Sequence, residues 1–243
     1  MRKDVKKLLN LNFTDTYNAT YHIGPYDMPY IECSIHDYPD YLALYSEPGL
    51  YTYTPNTAVC FYEYDYVFDG YHGLYNAIYY DDKKLIKFYK QRFQGVRYII
   101  SPDYSQCKDV PVIENLYRHF KTRIISVWLA MELDIVVIPS ITYSDISDFK
   151  NMIFGMERCR VVACSTKGVL NNRTSYQYFK SAIKYTMDHL SLDAIILYSS
   201  TPNIDSLCWL RQYAYSKHVQ VIIPHNTLMC RNADLQKRSI LNG

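Results

Sequence analysis

The sequence predicts an α/β protein built on a mostly parallel sheet of five or six strands, and three features carry that expectation. Its strongest apolar runs, such as Arg97-Tyr98-Ile99-Ile100 and Asp134-Ile135-Val136-Val137-Ile138, lack polar alternation, which is the habit of strands covered on both faces. Segments with helical apolar spacing lie between them, joined by short connections. Each run stops abruptly in small, polar, turn-forming residues, as at Ser101-Pro102-Asp103-Tyr104-Ser105. Right-handed crossovers then place the helices on the sheet faces. An open doubly wound sheet and an incomplete barrel satisfy the pattern equally.

Residues 1–57 read as an irregular extension packed on the body, and 58–243 as a single α/β domain. Pro25, Pro29, Pro39, Pro48 and Pro55 interrupt the extension at short intervals, so only a short helix is expected, within its first dozen residues. Ala58-Val59-Cys60-Phe61-Tyr62 is the first expected core strand, and it leads into an acidic, aromatic loop over 63–70. Asp81 and Asp82 suit the start of a helix over 83–93 that Gly95 terminates, and the strand at 97–100 follows.

The clearest helix spans about 110–131, with Leu116, Phe120, Ile124, Trp128 and Met131 as one buried stripe. Strands are expected at 134–139, 160–164, 193–198 and 219–223, the last stopping at Pro224-His225. Helices over 175–189 and 204–217 separate the later ones.

Composition narrows the function classes. A net charge of +2 gives no global pull toward nucleic acid or an anionic membrane. No apolar run reaches the roughly 18 residues of a membrane span, and the basic N-terminus lacks a signal-peptide core, so a cytoplasmic protein is expected. The seven dispersed cysteines show no CxxC, and the seven histidines no HxH, HExxH or HxxxH, so free thiols and no metal site are expected. Only 8 glycines argue against a Walker or dinucleotide loop, and no G-x-S-x-G elbow marks a serine hydrolase. No cofactor is expected. The 27 tyrosines supply surface for base stacking or protein contact, although AT-rich codon usage accounts for them equally.

Ligands of parallel α/β folds sit beyond the carboxyl ends of the strands. That rule gathers Tyr64, Asp65, Asp69, Ser101, Asp103, Tyr104, Ser105, Pro139, Ser140, Ser165, Thr166, Lys167, Tyr198, Ser199, Ser200 and His225 on one rim, with Arg118 within reach from the long helix. Ser165-Thr166-Lys167-Gly168 offers hydroxyls, backbone N–H groups and an ammonium to a phosphate; an ordinary strand-to-helix turn has the same composition. Asp65, Asp69 and Asp103 suit a carboxylate cluster for a divalent cation or for acid–base work, and also suit helix capping and turn formation. Arg118, His119, Lys121 and Arg123 read as a solvated basic face, and with Lys83, Lys84, Lys87 and Lys90 they can meet nucleic acid, although no nucleic-acid motif accompanies them.

The stretch 59–198 resembles a phage- and plasmid-associated family of domains of unknown function, numbered four-four-one-seven. The resemblance rests on Phe61-Tyr62-Glu63-Tyr64-Asp65-Tyr66-Val67-Phe68-Asp69, Ser101-Pro102-Asp103-Tyr104-Ser105, Val110-Pro111, Asn115 with Tyr117-Arg118, Val137-Ile138-Pro139-Ser140, and Val161-Val162-Ala163-Cys164-Ser165-Thr166-Lys167-Gly168. Tyr143 stands where the family tends to have Trp, and Ser199 where it tends to have Gly. The resemblance implies a mobile-element protein in the host cytoplasm and carries no activity with it. Two functions are expected from the whole. One is a pocket at the strand ends for a nucleotide or other phosphate-bearing small molecule; the alternative is a non-catalytic phage protein that binds and inhibits a host defence protein.

Overall fold

The computed structural model describes residues 13–201 and 205–241, with side chains to residue 235 except that of residue 205. The helix expected in the first dozen residues, and the start of the one expected at 204, lie outside the described residues.

Eight short parallel strands make two sheets. The first has the order β10 (His225–Asn226), β3 (Tyr41–Leu44), β4 (Thr57–Cys60), β5 (Tyr98–Ile100), β6 (Val136–Ile138). The second has β7 (Val161–Ser165), β8 (Ala194–Tyr198), β9 (Gln220–Ile222). A separate antiparallel pair, β1 (His22–Ile23) and β2 (Met28–Pro29), lies in the N-terminal segment, after the short α1 (Thr14–Tyr17).

The two parallel sheets meet at two seams. At one, β6 and β7 touch through the single bridge Ser140–Ala163, flanked by Ala163 N–H to Pro139 O at 2.7 Å and Ile141 N–H to Ala163 O at 2.8 Å. At the other, the chain leaves β9, passes Pro224, and joins the first sheet as β10, where His225 N–H donates to Asp40 O at 3.0 Å. Proline has no N–H to give a ladder, so the pairing changes partner there. The strands therefore form an incomplete barrel rather than a closed one.

Side-chain alternation confirms that curvature. Leu42, Ala58, Cys60, Tyr98, Ile100 and Ile138 point inward and share one core with β7 and β8. Their neighbours Ala43, Val59, Ile99 and Val137 point outward into a second core. An open sheet would hold β4 and β8 far apart. Instead the rings of Tyr62 and Tyr198, each just at or past its strand end, meet with centroids 5.2 Å apart across the interior.

The outer core lies under α2 (Leu74–Tyr80), α3 (Lys83–Arg92) and α4 (Val112–Leu133). Asp82 caps α3 by accepting from the N–H groups of Lys84 and Leu85 at 3.0 and 3.1 Å. Asp81 instead takes a left-handed conformation that ends α2, a helix the sequence pattern does not reveal. Along α4, Leu116, Ile124 and Trp128 are buried, but Met131 is 46% exposed, because the helix outruns the sheet it covers. After the short α5 (Phe149–Met152) and β7 come α6 (Arg173–His189), α7 (Cys208–Ser216) and α8 (Thr227–Leu241). Asn172 caps α6 through Ser175 N–H, and Asn226 accepts from Met229 N–H at the start of α8.

One sequence expectation needs correction. The boundary at 57/58 cuts through the sheet, because β3 pairs with both β4 and β10. The strand expected over 219–223 does end before Pro224, and a further two-residue strand, β10, follows it in the other sheet. No helix among the described residues is long and apolar enough to cross a membrane.

Candidate functional site

The loops at the carboxyl ends of β4, β5, β6 and β7 enclose a cavity of about 390 Å³. That lies within the roughly 300–1,000 Å³ of small-molecule sites. Tyr62, Glu63 and Tyr64 come from the β4 loop, Asp103 to Gln106 from the β5 loop, Ile141 to Tyr143 from the β6 loop, and Ser165 with Lys167 to Val169 from the β7 loop.

Short polar contacts tie these loops together. Ser101, buried at the end of β5, accepts a hydrogen bond from Ser140 N–H at 2.8 Å and so holds the β6 loop. Lys167 Nζ donates to Tyr62 O at 2.7 Å, which links the β7 loop to the β4 loop. Lys167 N–H donates to Ser165 Oγ at 3.0 Å, and Gly168 adopts a positive φ of 75° as the turn closes.

Asp103 sits on the cavity wall with its carboxyl largely withdrawn from water. Desolvation raises its pKa to about 7, and the neighbouring Asp65 adds to the rise. A hydrogen bond from Ser140 and the charge of Lys167 oppose the rise without cancelling it. The group therefore exchanges its proton near neutral pH, where a general acid or base is most useful.

Asp65 holds the next layer. It accepts from Ser105 N–H at 3.1 Å, from Ser105 Oγ at 3.0 Å and from Arg118 at 2.9 Å. Arg118 also donates to Ser105 O at 2.9 Å and to Glu114 at 3.1 Å. Its charge is thus already matched, and it props the β5 loop from α4. Asp69 stands farther out, paired with Lys121, whose ammonium lies 4.1 Å from the centroid of the Tyr104 ring.

The predicted residues separate into three groups. Asp103, Tyr104, Ser105, Ser165 and Lys167 border the cavity. Asp65, Arg118 and Ser101 support its loops. Asp69, Thr166 and Tyr198 do not line it. Thr166 is buried, donates N–H to Tyr198 O at 3.0 Å and accepts from Ser200 N–H at 3.1 Å, so it joins β7 to β8. The rings of Tyr104 and Tyr198 are buried in the outer and inner cores.

The basic face expected on α4 is not solvated: Arg118 and Lys121 pair with carboxylates, and Arg123 is 1% exposed. Arg123 donates to Phe154 O at 3.2 Å and Met152 O at 2.9 Å, and desolvation lowers its pKa to about 10. The aspartates do not converge on one point, and among the described residues no group of three His, Cys, Asp or Glu side chains is placed to hold a metal.

Other groups at the site escape a sequence reading. Tyr62, Glu63, Gln106, Thr142 and Tyr143 all border the cavity, beside the expected Tyr64. Behind Thr142 lies a buried polar chain: His119 Nδ1 is 3.4 Å from Thr142 Oγ1, and His119 Nε2 is 3.3 Å from Asp148. Burial lowers the His119 pKa against the opposing pull of Asp148, so the ring is neutral at pH 7. The one sequence cue was position: Thr142 follows the strand at 134–139 by three residues, as Lys167 follows 160–164.

Fold and cavity together define an α/β protein with an open cleft at the carboxyl rim of an incomplete parallel barrel. The model of one family, described as Domain of unknown function (DUF4417), matches residues 20–214, and the chain belongs to that family. That match takes in β1 to β8 and every cavity residue named above. No curated protein and no solved structure matches the chain.

Proposed function

We propose that the rim cavity binds a nucleotide or another phosphate-bearing small molecule. The observation that carries this reading is Lys167. Its side chain borders the cavity, and its hydrogen bond goes to a neutral carbonyl, Tyr62 O, while Arg118 and Lys121 of α4 are paired with carboxylates. An ammonium in no carboxylate salt bridge among the described residues, at a cavity wall where the nearby Asp103 is held partly protonated at neutral pH, attracts an anion. Ser165 and Ser105 add hydroxyls to the same cavity. Asp103, protonated over part of the neutral range, accepts an anion beside it at little cost and can move a proton if the ligand reacts.

Thermal-shift screening of phosphate compounds, in parallel on the wild-type chain and on Lys167→Met, tests the reading. Stabilisation of the wild type that falls at least about tenfold in affinity in the variant supports it, one charge-assisted hydrogen bond contributing roughly 1.5–3 kcal/mol. Equal stabilisation of both proteins removes Lys167 from the site.

A second reading, that of a mobile-element protein acting on a host defence protein without catalysis, draws on a different surface. Tyr26, Met28, Ile113, Leu116, Tyr117 and Phe120 line an apolar groove beside α4, and Ile113 is exposed. Aromatic and aliphatic residues of this kind anchor protein interfaces. A purified candidate partner whose binding survives Ile113→Asp would exclude this groove as the contact.

A further inference from the structure

Two tyrosines of the β4 loop are left in water beside the cavity. The rings of Tyr64 and Tyr66 are near parallel, 11° apart in plane with centroids separated by 5.7 Å. They remain 72% and 80% exposed, whereas Tyr62, Tyr75, Tyr89, Tyr98 and Tyr104 are all buried. Aromatic rings held in water forgo a large favourable burial, so an ordered exposed pair is a surface awaiting a flat partner.

The pair is also held in place. Asp65, between the two tyrosines, begins a 3-10 turn over Asp65–Val67 and is fastened to Ser105 and Arg118. Tyr64 thus borders the cavity from a braced turn, and Tyr143 borders it from the β6 loop. Strands β4 and β6 flank β5, so the loops that carry Tyr64 and Tyr143 stand on either side of the β5 loop and border the same cavity. Lys167, which bonds Tyr62 O two residues before Tyr64, puts the cationic group at the inner side of the same loop.

We propose that Tyr64, backed by Tyr66, is the platform on which the base of a nucleotide stacks while its phosphate meets Lys167 and Ser165. This rests on the phosphate-ligand reading above and narrows the ligand class from any phosphate compound to a nucleotide. Base stacking on an aromatic side chain tolerates any base, because every base presents a π-face, so AMP is a sufficient probe.

Calorimetric titration of the full chain with AMP, ribose 5-phosphate and inorganic phosphate tests it. AMP is expected to bind about 5- to 150-fold more tightly than ribose 5-phosphate, the range that loss of one stacked base produces. Tyr64→Ala should abolish that advantage and leave the affinity for ribose 5-phosphate unchanged, while Tyr64→Trp keeps it. The side chain is exposed, so an unchanged melting temperature will verify that each variant folds. AMP binding no tighter than ribose 5-phosphate, or indifferent to Tyr64→Ala, overturns the platform and leaves the phosphate site standing; a tyrosine pair that serves a protein interface gives this result. Failure of all three probes to bind the wild type overturns the phosphate reading and the platform with it.

Discussion

Replacing Asp103 by Asn isolates the strain stored in the cavity wall. In the folded chain the carboxyl protonates at about 7 rather than its ordinary 3.8, chiefly because it is desolvated and because Asp65 faces it. Between those two values the folded state holds a proton that the unfolded chain releases, so stability declines as pH rises from about 4 through 7. At roughly 1.36 kcal/mol per pH unit the full interval amounts to about 4 kcal/mol. The cavity opens to solvent and relaxation lessens the penalty, so about 2 kcal/mol is the expected loss. Asparagine imitates the protonated acid in size and polarity. Asp103→Asn should therefore match the wild type near pH 3 and exceed it by about 2 kcal/mol at pH 8. Urea unfolding of both proteins from pH 3 to 8.5 measures the difference directly. A gap between the two that does not change with pH would refute the reasoning, whatever its size.

Other expectations concern the scaffold and the buried polar groups. Arg123→Ala strands the Phe154 and Met152 carbonyls in the interior, and denaturant unfolding should show a loss of about 3 kcal/mol or more. Gly155 has φ of 79°, and a Cβ there would lie 2.4 Å from Pro29 O, so Gly155→Ala should cost about 2 kcal/mol or more and loosen the N-terminal segment. The His119 ring should gain its proton below the ordinary 6.5 in an NMR titration, since burial depresses its pKa; the stability it contributes is present above the ordinary 6.5 and declines as pH falls below it. An imidazole that gains its proton at the ordinary value would mean that the His119–Asp148 pocket is open to water.

Much of this architecture is legible in the chain because its central strands are continuous apolar runs. Tyr98–Ile100, Val136–Ile138 and Ala194–Tyr198 fall inside segments that the pattern marks, and Val161–Ser165 runs one residue past its segment. Strand β3 does not, because Leu42-Ala43-Leu44 is short, lies between Pro39 and Pro48, and is identified as a strand only by β4 and the distant β10. Helix α2 is equally hidden: Leu74–Tyr80 is only two turns, three of its residues are tyrosines, and no side chain caps its start. Whether the sheet curls into a barrel is a matter of seams, and a single bridge at Ser140–Ala163 leaves no signature in composition.

The same holds for the site. The rule of strand ends finds Asp103, Ser105, Ser165 and Lys167 because each follows a visible strand. It also collects Thr166 and Tyr198, whose side chains turn inward, since consecutive residues at a strand end alternate between faces. Pairings across long separations cannot be read at all: Asp65 with Arg118 is 53 residues apart in sequence, and it decides that Arg118 braces a loop where Lys167 keeps its charge for the cavity.

A crystal structure grown with saturating AMP bears on all of this at once. The account predicts the nucleotide in the cavity among the β4 to β7 loops, with a phosphate oxygen within hydrogen-bond distance of Lys167 Nζ and the base against Tyr64. Density for the nucleotide elsewhere on the molecule, with the Lys167 cavity holding only water at saturation, would contradict it.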